Sequence, residues 1–341
     1  MILYDGIITS LQATGGVSIL FNELIKRMSS SGVKHKISIF DDKFCHKLGG
    51  EDGCILQSPR LLERYRDAIA PIEYDIFHST YYRLPQGGRG KIVTTVHDYT
   101  YERYRSNIAK WIHSVQKNRA IKHSDIIICV SESTRQDLIE YSGSSYEDRT
   151  VVIHNGASDE YKILKNIIVK PQIIFVGSRS GYKNFKSLVY AISPLKGIDL
   201  VCVGGGNFTR EEVQLLENYL PLRCRHLGFL TNKELNIEYN QSLCFVYPSL
   251  YEGFGIPVLE AMRSGCPVVA VNCSSIPEVA GNAALLLEVG DPFDIRQAIE
   301  SFMVTETREK YISRGIVQSE KFSWDKTYSE TISVYDKLLG L

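Results

Sequence analysis

The sequence predicts an α/β protein of two Rossmann-like, doubly wound parallel-sheet domains facing a central cleft. Three observations predict it. Short apolar runs alternate with helical periods along the whole chain, as buried parallel strands and their crossover helices do. The runs fall into two series, separated by a charged, proline-terminated stretch at 158–171. The length of 341 residues suits two domains of ordinary size.

The first series comprises ILYDGII (2–8), KISIF (36–40), YDIFHS (74–79), KIVTTVH (91–97), DIIICV (125–130) and TVVIHN (150–155), with helical periods at 17–28 and 106–122. Basic and aromatic residues mix in 99–123. Ile108, Trp111, Ile112 and Val115 have the spacing of a buried helix face, so the stretch reads as a core helix. A helix lying on the inner face of an anionic membrane is the competing reading. The second series is QIIFVG (172–177), DLVCVG (199–204), LCFVY (243–247), PVVAV (267–271) and ALLLEV (284–289). The boundary is placed near 166, giving an N-terminal domain of 1–165 and a C-terminal domain of 166–323. Trp324, Tyr328, Ile332, Tyr335 and Leu338 then recur at helical spacing with no strand to follow. Residues 324–341 are therefore expected as a terminal helix that packs back on the first domain.

Composition excludes several classes. Lys and Arg total 39, as do Asp and Glu, so the basic excess of nucleic-acid binders is missing. No apolar run has the length of a membrane-spanning helix, and the first residues lack a secretory pattern. Eight cysteines occur without a C-x-x-C pair, which points to reduced thiols and a cytoplasmic protein. There is no D-x-D sequence of the kind that carries a metal-bridged nucleotide, so no metal is expected.

The residues that could carry chemistry sit at strand ends. The most informative are in Glu252-Gly-Phe-Gly-Ile-Pro-Val-Leu-Glu260, between a strand-like run and a helix-like one. A strand, a glycine turn and a helix start form an anion cradle, because the first helical N–H groups lack partners and the helix dipole favours negative charge. Pro257 suits a first helical turn. Glu252 and Glu260, being acidic, are suited to sugar or ribose hydroxyls rather than phosphate. Arg179 and Lys183 follow the first strand of the second series and could neutralise a diphosphate, or simply be solvated. His97 ends a strand and could touch substrate, although a lone histidine is more often structural. Gly15-Gly16 opens the first long helix and serves equally well as a flexible turn. Ser131 or Ser133 reads as an N-cap for a helix over 134–141. Gly204-Gly205-Gly206 fails the dinucleotide register, since Thr209 stands where the third glycine belongs.

Together these pieces resemble glycosyltransferase family 4. The elements are Gly15-Gly16-Val17, Thr95-Val-His97-Asp98, Val130-Ser-Glu-Ser133, Asn155-Gly156, Phe175 to Asn184, and above all YPSLYEGFGIPVLEAMRSG (247–265). The resemblance implies the GT-B fold and a retaining, metal-independent hexosyl transfer from a nucleotide-diphosphate sugar. It needs no other cofactor. GDP-mannose is favoured as donor, with UDP- and dTDP-sugars as alternatives. The acceptor is expected to be a glycan or lipid-linked saccharide, in surface polysaccharide or O-antigen assembly.

The resemblance also assigns roles. Glu260 should bond the ribose, Glu252 the transferred sugar, and the backbone of Gly253, Phe254, Gly255, Ile256 and Pro257 the diphosphate, with Arg179 and Lys183. His97 should contact the sugar and Gly15-Gly16 approach the phosphate. Gly228, Leu230 and Thr231 should carry the base. The chain departs from the family pattern at Tyr182, where a further Arg often precedes the lysine. The competing readings are a nucleotide-sugar epimerase of the same fold and a sugar-binding protein without chemistry.

Overall fold

The computed structural model describes residues 1–12, 15–41, 53–104 and 108–341. It divides into two compact units, Met1–Asn155 with Trp324–Leu341, and Gly156–Ser323.

In the first unit the strands are β1 (Ile2–Asp5), β2 (His35–Ile39), β3 (Cys54–Leu56), β4 (Ala68–Ile69), β5 (Ile76–Ser79), β6 (Pro85–Gln86), β7 (Lys91–Val96), β8 (Ile126–Cys129) and β9 (Thr150–Val152). Its main sheet has the order β3-β2-β1-β5-β7-β8-β9 and is parallel throughout. The helices are α1 (Ile7–Leu11), α2 (Gly16–Ser31), α3 (Thr100–Tyr104), α4 (Ile108–His123) and α5 (Glu132–Ser142). Ser131 caps α5 by accepting from the Thr134 N–H. The apolar run at 2–8 is a strand only as far as Asp5, because Gly6 turns the chain into α1.

The second unit holds β10 (Gln172–Val176), β11 (Asp199–Val203), β12 (Cys224–His226), β13 (Cys244–Tyr247), β14 (Val268–Val271) and β15 (Ala284–Leu287). Its helices are α6 (Phe185–Ile192), α7 (Arg210–Tyr219), α8 (Asn232–Gln241), α9 (Ile256–Arg263), α10 (Ile276–Ala280), α11 (Pro292–Ser301) and α12 (Thr305–Ser319). The parallel sheet runs β12-β11-β10-β13-β14-β15. Strands fill outward from β10 on one side and from β13 on the other. The junction of β10 and β13 is therefore the topological switch point, where loops leave the sheet in opposite directions and open a crevice at its carboxyl edge. One face of the sheet is closed by Ile173, Phe175, Phe185, Leu188, Ile192 and Ile299, all buried. Each such side chain contributes roughly 1.5–3 kcal/mol by leaving water.

The second unit begins at Gly156, ahead of the boundary expected near 166. Side chains of α8 claim the intervening segment: Asn236 Oδ1 accepts from the Lys162 N–H at 3.0 Å and Asn240 Oδ1 from the Leu164 N–H at 2.8 Å. The terminal helix α13 (Trp324–Leu339) belongs to the first unit. The Tyr335 hydroxyl lies 2.6 Å from that of Tyr4 on β1, and Thr327 donates to the His154 carbonyl at 2.7 Å.

The reading of Ile108, Trp111, Ile112 and Val115 as a buried face is overturned. Ile108 is 75% exposed, Trp111 66% and Val115 48%, with Ile112 half-buried. The inner face of α4 is instead His113, Lys117, Ala120 and Ile121. A buried ion pair described below turns the helix this way, overriding the apolar spacing. No helix among the described residues is long and apolar enough to cross a membrane.

Candidate active site

The second unit gathers its polar groups at the switch point. The loop after β10 carries Lys183 and the loop after β13 carries Glu252. Lys183 Nζ lies 2.5 Å from Glu252 Oε1, a charge-assisted contact between two largely buried side chains. The Leu250 N–H donates to the Tyr182 carbonyl at 2.8 Å, stitching the two loops together. Asn184 sits at φ 54°, a left-handed conformation that asparagine tolerates, and its Nδ2 donates to the Gly290 carbonyl at 2.7 Å. Lys183 is thereby held between two anchored neighbours.

Glu252 is held as firmly. Its backbone N–H donates to Ser274 Oγ at 2.8 Å, and Ser275 Oγ donates to the carbonyls of Glu252 and Phe254 at 2.9 and 2.8 Å. Gly255 precedes α9 with φ 105°, a region that disfavours any side chain; a Cβ there would also meet Ile276 Cδ1 at 2.9 Å. Pro257 lies in the first turn of α9. Phe254 turns inward and packs against Phe322 at 5.9 Å, so of this residue only the backbone can serve a ligand.

Glu260 is buried one turn into α9, and the Tyr239 hydroxyl donates to its Oε2 at 3.4 Å. Burial pushes the carboxyl up to about 7, against the lowering effect of the Tyr161 and Tyr239 phenols. Tyr247, at the end of β13, lies 3.5 Å from Lys183 Nζ. Burial first, then the charge of Glu252 and more weakly that of Glu260, raise its phenol well above the usual range. Lys183 and Glu252 thus meet beside Tyr247. Asn184 and Tyr247 bound the family motifs but carried no role in the sequence reading, and Ser274 and Ser275 were not singled out; their place beside Lys183 and Glu252 marks them.

Arg179 does not join this group. Its side chain is 2% exposed and points along the sheet edge to the loop after β11. Nη1 donates to the Gly204 carbonyl at 3.1 Å, and Nη2 to those of Gly205, Gly206 and Asn207 at 3.3, 2.8 and 3.1 Å. Nε lies 3.1 Å from Glu212 Oε1, an ion pair without hydrogen-bond angles, and the guanidinium covers the Phe208 ring at 4.6 Å. All three glycines have φ between 71° and 74°, which turns their carbonyls onto one cation. Arg179, expected on a diphosphate, latches this loop, with four carbonyls and a carboxylate around it.

The neighbouring turn follows β12. Gly228 has φ 64°, and its carbonyl accepts from the Gly204 N–H at 2.6 Å. Leu230 is half-buried. Thr231 caps α8 in a capping box with Glu234, so its hydroxyl is engaged by the helix.

In the first unit, His97 follows β7. Its Nε2 is buried and has no hydrogen-bond partner among the described residues. Burial, with a smaller contribution from Lys117, brings the imidazole down to about 4, against the opposite pull of Asp98. It is a neutral ring at pH 7, able to donate or accept one hydrogen bond but carrying no charge. The Phe21 ring of α2 meets it edge-on at 6.0 Å, and that helix starts at Gly16, with Gly15 as its N-cap residue. No group of three metal-ligating side chains occurs among the described residues, and the seven described cysteines are free.

Two family models match the chain. Glycosyltransferase Family 4 covers residues 14–161, and Glycosyl transferases group 1 covers residues 159–318. The O-antigen chain mannosyltransferase B of Escherichia coli is 30% identical over 313 residues, 84% of this chain and 80% of that protein. The serotype-specific mannosyltransferase WbdA of Escherichia coli is 30% identical over 247 residues, 66% of this chain but 30% of its own length. Among solved structures, sucrose-phosphate synthase from Thermosynechococcus elongatus superposes with a TM-score of 0.80 at 16% identity, covering 99% of both chains. Anabaena HepE, in complex with UDP and glucose, does so with 0.78 at 16% identity, covering 98% of this chain and 99% of that one. These likenesses establish the GT-B fold of two Rossmann-like domains. The chain belongs to glycosyltransferase family 4 and is a glycosyltransferase.

Proposed function

We propose that the protein is a retaining, metal-independent hexosyltransferase using a nucleotide-diphosphate sugar, with GDP-mannose the first choice of donor. The acceptor is a glycan or lipid-linked saccharide of surface polysaccharide or O-antigen assembly. The observation that carries this reading is the Lys183–Glu252 pair at the β10/β13 switch point, just ahead of the α9 N-terminus. As the glycosidic bond to the diphosphate breaks, negative charge grows on the leaving oxygens. A fixed ammonium and the first N–H groups of α9 stabilise that charge more than they stabilise the ground state. Glu252 then exchanges Lys183 for sugar hydroxyls, Glu260 accepts from the ribose, and the neutral His97 bonds the hexose. Gly15-Gly16 admits the phosphate, and the turn at Gly228, Leu230 and Thr231 carries the base through its backbone and apolar surface. Arg179 supports the neighbouring loop instead of touching phosphate. Mannose is supported by the names of the Escherichia coli relatives.

A thermal-shift screen of GDP-, UDP- and dTDP-sugars tests the donor, since a ligand of the native state alone raises its apparent stability. Nucleoside diphosphate release with an acceptor present is the expected readout. Donor converted to its epimer without an acceptor would assign an epimerase, and donor bound but never cleaved would assign a binding protein.

A peripheral membrane contact is a second reading, favoured by the outward Ile108, Trp111 and Val115. The helix that carries them has no acidic residue and ends in exposed Lys122 and His123. An apolar stripe with basic flanks suits an anionic bilayer surface, where a lipid-linked acceptor would lie.

A further inference from the structure

Behind the His97-Asp98 turn lies a buried ion cluster that the reaction does not directly use. Lys117, on the inner face of α4, is fully buried. Its Nζ donates to the Asp98 carbonyl at 2.8 Å and to Glu102 Oε2 at 2.9 Å. The ammonium also lies 4.0 Å from the Tyr99 ring centroid and 5.4 Å from that of Tyr82. Glu102 is paired further: Ser114 donates to its Oε1 at 2.8 Å, and His113 Nδ1 stands 3.7 Å away. Burial alone would raise this carboxyl, but His113 and Lys117 bring it down to about 2, so Glu102 is a carboxylate at pH 7.

A buried ion pair is a poor way to gain stability, because desolvation consumes most of the Coulomb attraction. An apolar residue at 117 would fill the space but leave the Asp98 carbonyl without its donor. The ammonium does what a methyl group cannot: it binds the backbone of the residue next to His97 and places a fixed positive charge behind the imidazole. Asp98 is held from its other side as well, its Oδ1 accepting from the Thr100 N–H at 2.8 Å.

We propose that Lys117 is a positioning residue for His97, setting the orientation of the ring through the Asp98 carbonyl for a hydrogen bond to the substrate. The inference rests on the reading of His97 as a substrate contact. The charged and titratable groups facing His97 are Asp98 on its own turn, Lys117 on α4, and His78 in the neighbouring strand β5; the backbone N–H of His97 lies 3.5 Å from the Tyr82 hydroxyl. Asp98 favours the imidazolium, and Lys117 opposes it.

The test is the His97 titration, followed by NMR of the ring Cε1–H in full-length protein, together with kcat and KM for donor. Lys117→Met removes the positive charge and leaves Glu102 negative, so the midpoint should rise by about half a pH unit or more. Glu102→Gln leaves the lysine uncompensated, so the midpoint should fall. The double variant Lys117→Met/Glu102→Gln removes both charges and serves where a single variant does not fold. There the two charge effects offset and the midpoint should move less than in Lys117→Met, while kcat should fall about tenfold with donor KM unchanged, because the Asp98 carbonyl has lost its donor. A merely structural role would not give opposite titration shifts for the two single changes. Unchanged kcat in the folded double variant would overturn the inference. His97→Ala separates the two claims. If it retains full turnover, the reading of His97 falls and the inference with it. If it is impaired while the Lys117 and Glu102 variants leave the imidazole and kcat unaffected, only the inference falls.

Discussion

Lys183 Nζ stands 2.5 Å from Glu252 Oε1, although 69 residues separate them in the chain. They meet because β10 and β13 are neighbours and the chain leaves their carboxyl ends in opposite directions. Each neutralises the other, so neither of these largely buried charges lacks a counter-charge.

Removing the cation should be costly. Lys183→Ala is expected to lower turnover at least about a hundredfold, the scale of losing one donor that meets developing charge in the transition state. Steady-state rates of nucleoside diphosphate release check it. A variant working near the parent rate would take Lys183 out of the mechanism.

Arg179 should behave differently. Its guanidinium is enclosed by loop carbonyls, so Arg179→Ala leaves those acceptors unpaired and should lower unfolding stability by roughly 2–4 kcal/mol. Urea unfolding measures this. A variant as stable as the parent that had lost nucleotide affinity would restore the diphosphate role expected from the sequence.

Glu260 predicts a pH dependence. Its carboxyl lies near 7 in the folded protein because it is buried, against an ordinary value of 4.5. The folded state therefore holds a proton that the unfolded chain has released between those values. Stability contributed by this group is complete below pH 4.5 and is lost as pH rises through 7, by about 3 kcal/mol in all. Glu260→Gln should remove that slope and be the more stable protein at pH 7. Ribose hydroxyls donating to the carboxylate would favour its charged form, so nucleotide binding near pH 6.5 should release a proton. Calorimetry in buffers of different ionisation enthalpy reads that release, and the ribose assignment fails if the binding heat is independent of buffer.

The outward face of α4 can be read by fluorescence. The chain has two tryptophans, Trp111 in that face and Trp324, which is 3% exposed. In a Trp324→Phe protein, emission comes from Trp111 alone. Vesicles rich in phosphatidylglycerol should shift it to the blue, and phosphatidylcholine vesicles should not. Emission unchanged by either kind of vesicle would end the membrane reading.

Much of the site was legible from residue types and order. Glycine, proline and carboxylate around 252–260 specify a turn, a helix start and an anion cradle by local rules, and each of those rules acts within a few residues. Ser131 capped its helix for the same reason. The short strands β3 and β12 went unread because Cys54–Leu56 and Cys224–His226 are too brief and too mixed in polarity to stand out from loops. The role of Arg179 was hidden because its partners arrive from another strand's loop, and an arginine before a lysine looks the same whether it faces phosphate or carbonyls.

Alternation of apolar runs and helical periods, set by local periodicity, by itself determined the α/β class and its division into two sheets. The sequence also carried the family, through a motif whose backbone geometry depends on near neighbours. Tertiary structure alone decided which charges pair. It sent Arg179 to the glycine loop, brought Lys183 to Glu252, and turned Lys117 inward so that Trp111 faced out. Such choices depend on which distant groups can satisfy a buried charge, and for a desolvated ion that requirement outweighs the preference of an apolar stripe for the interior.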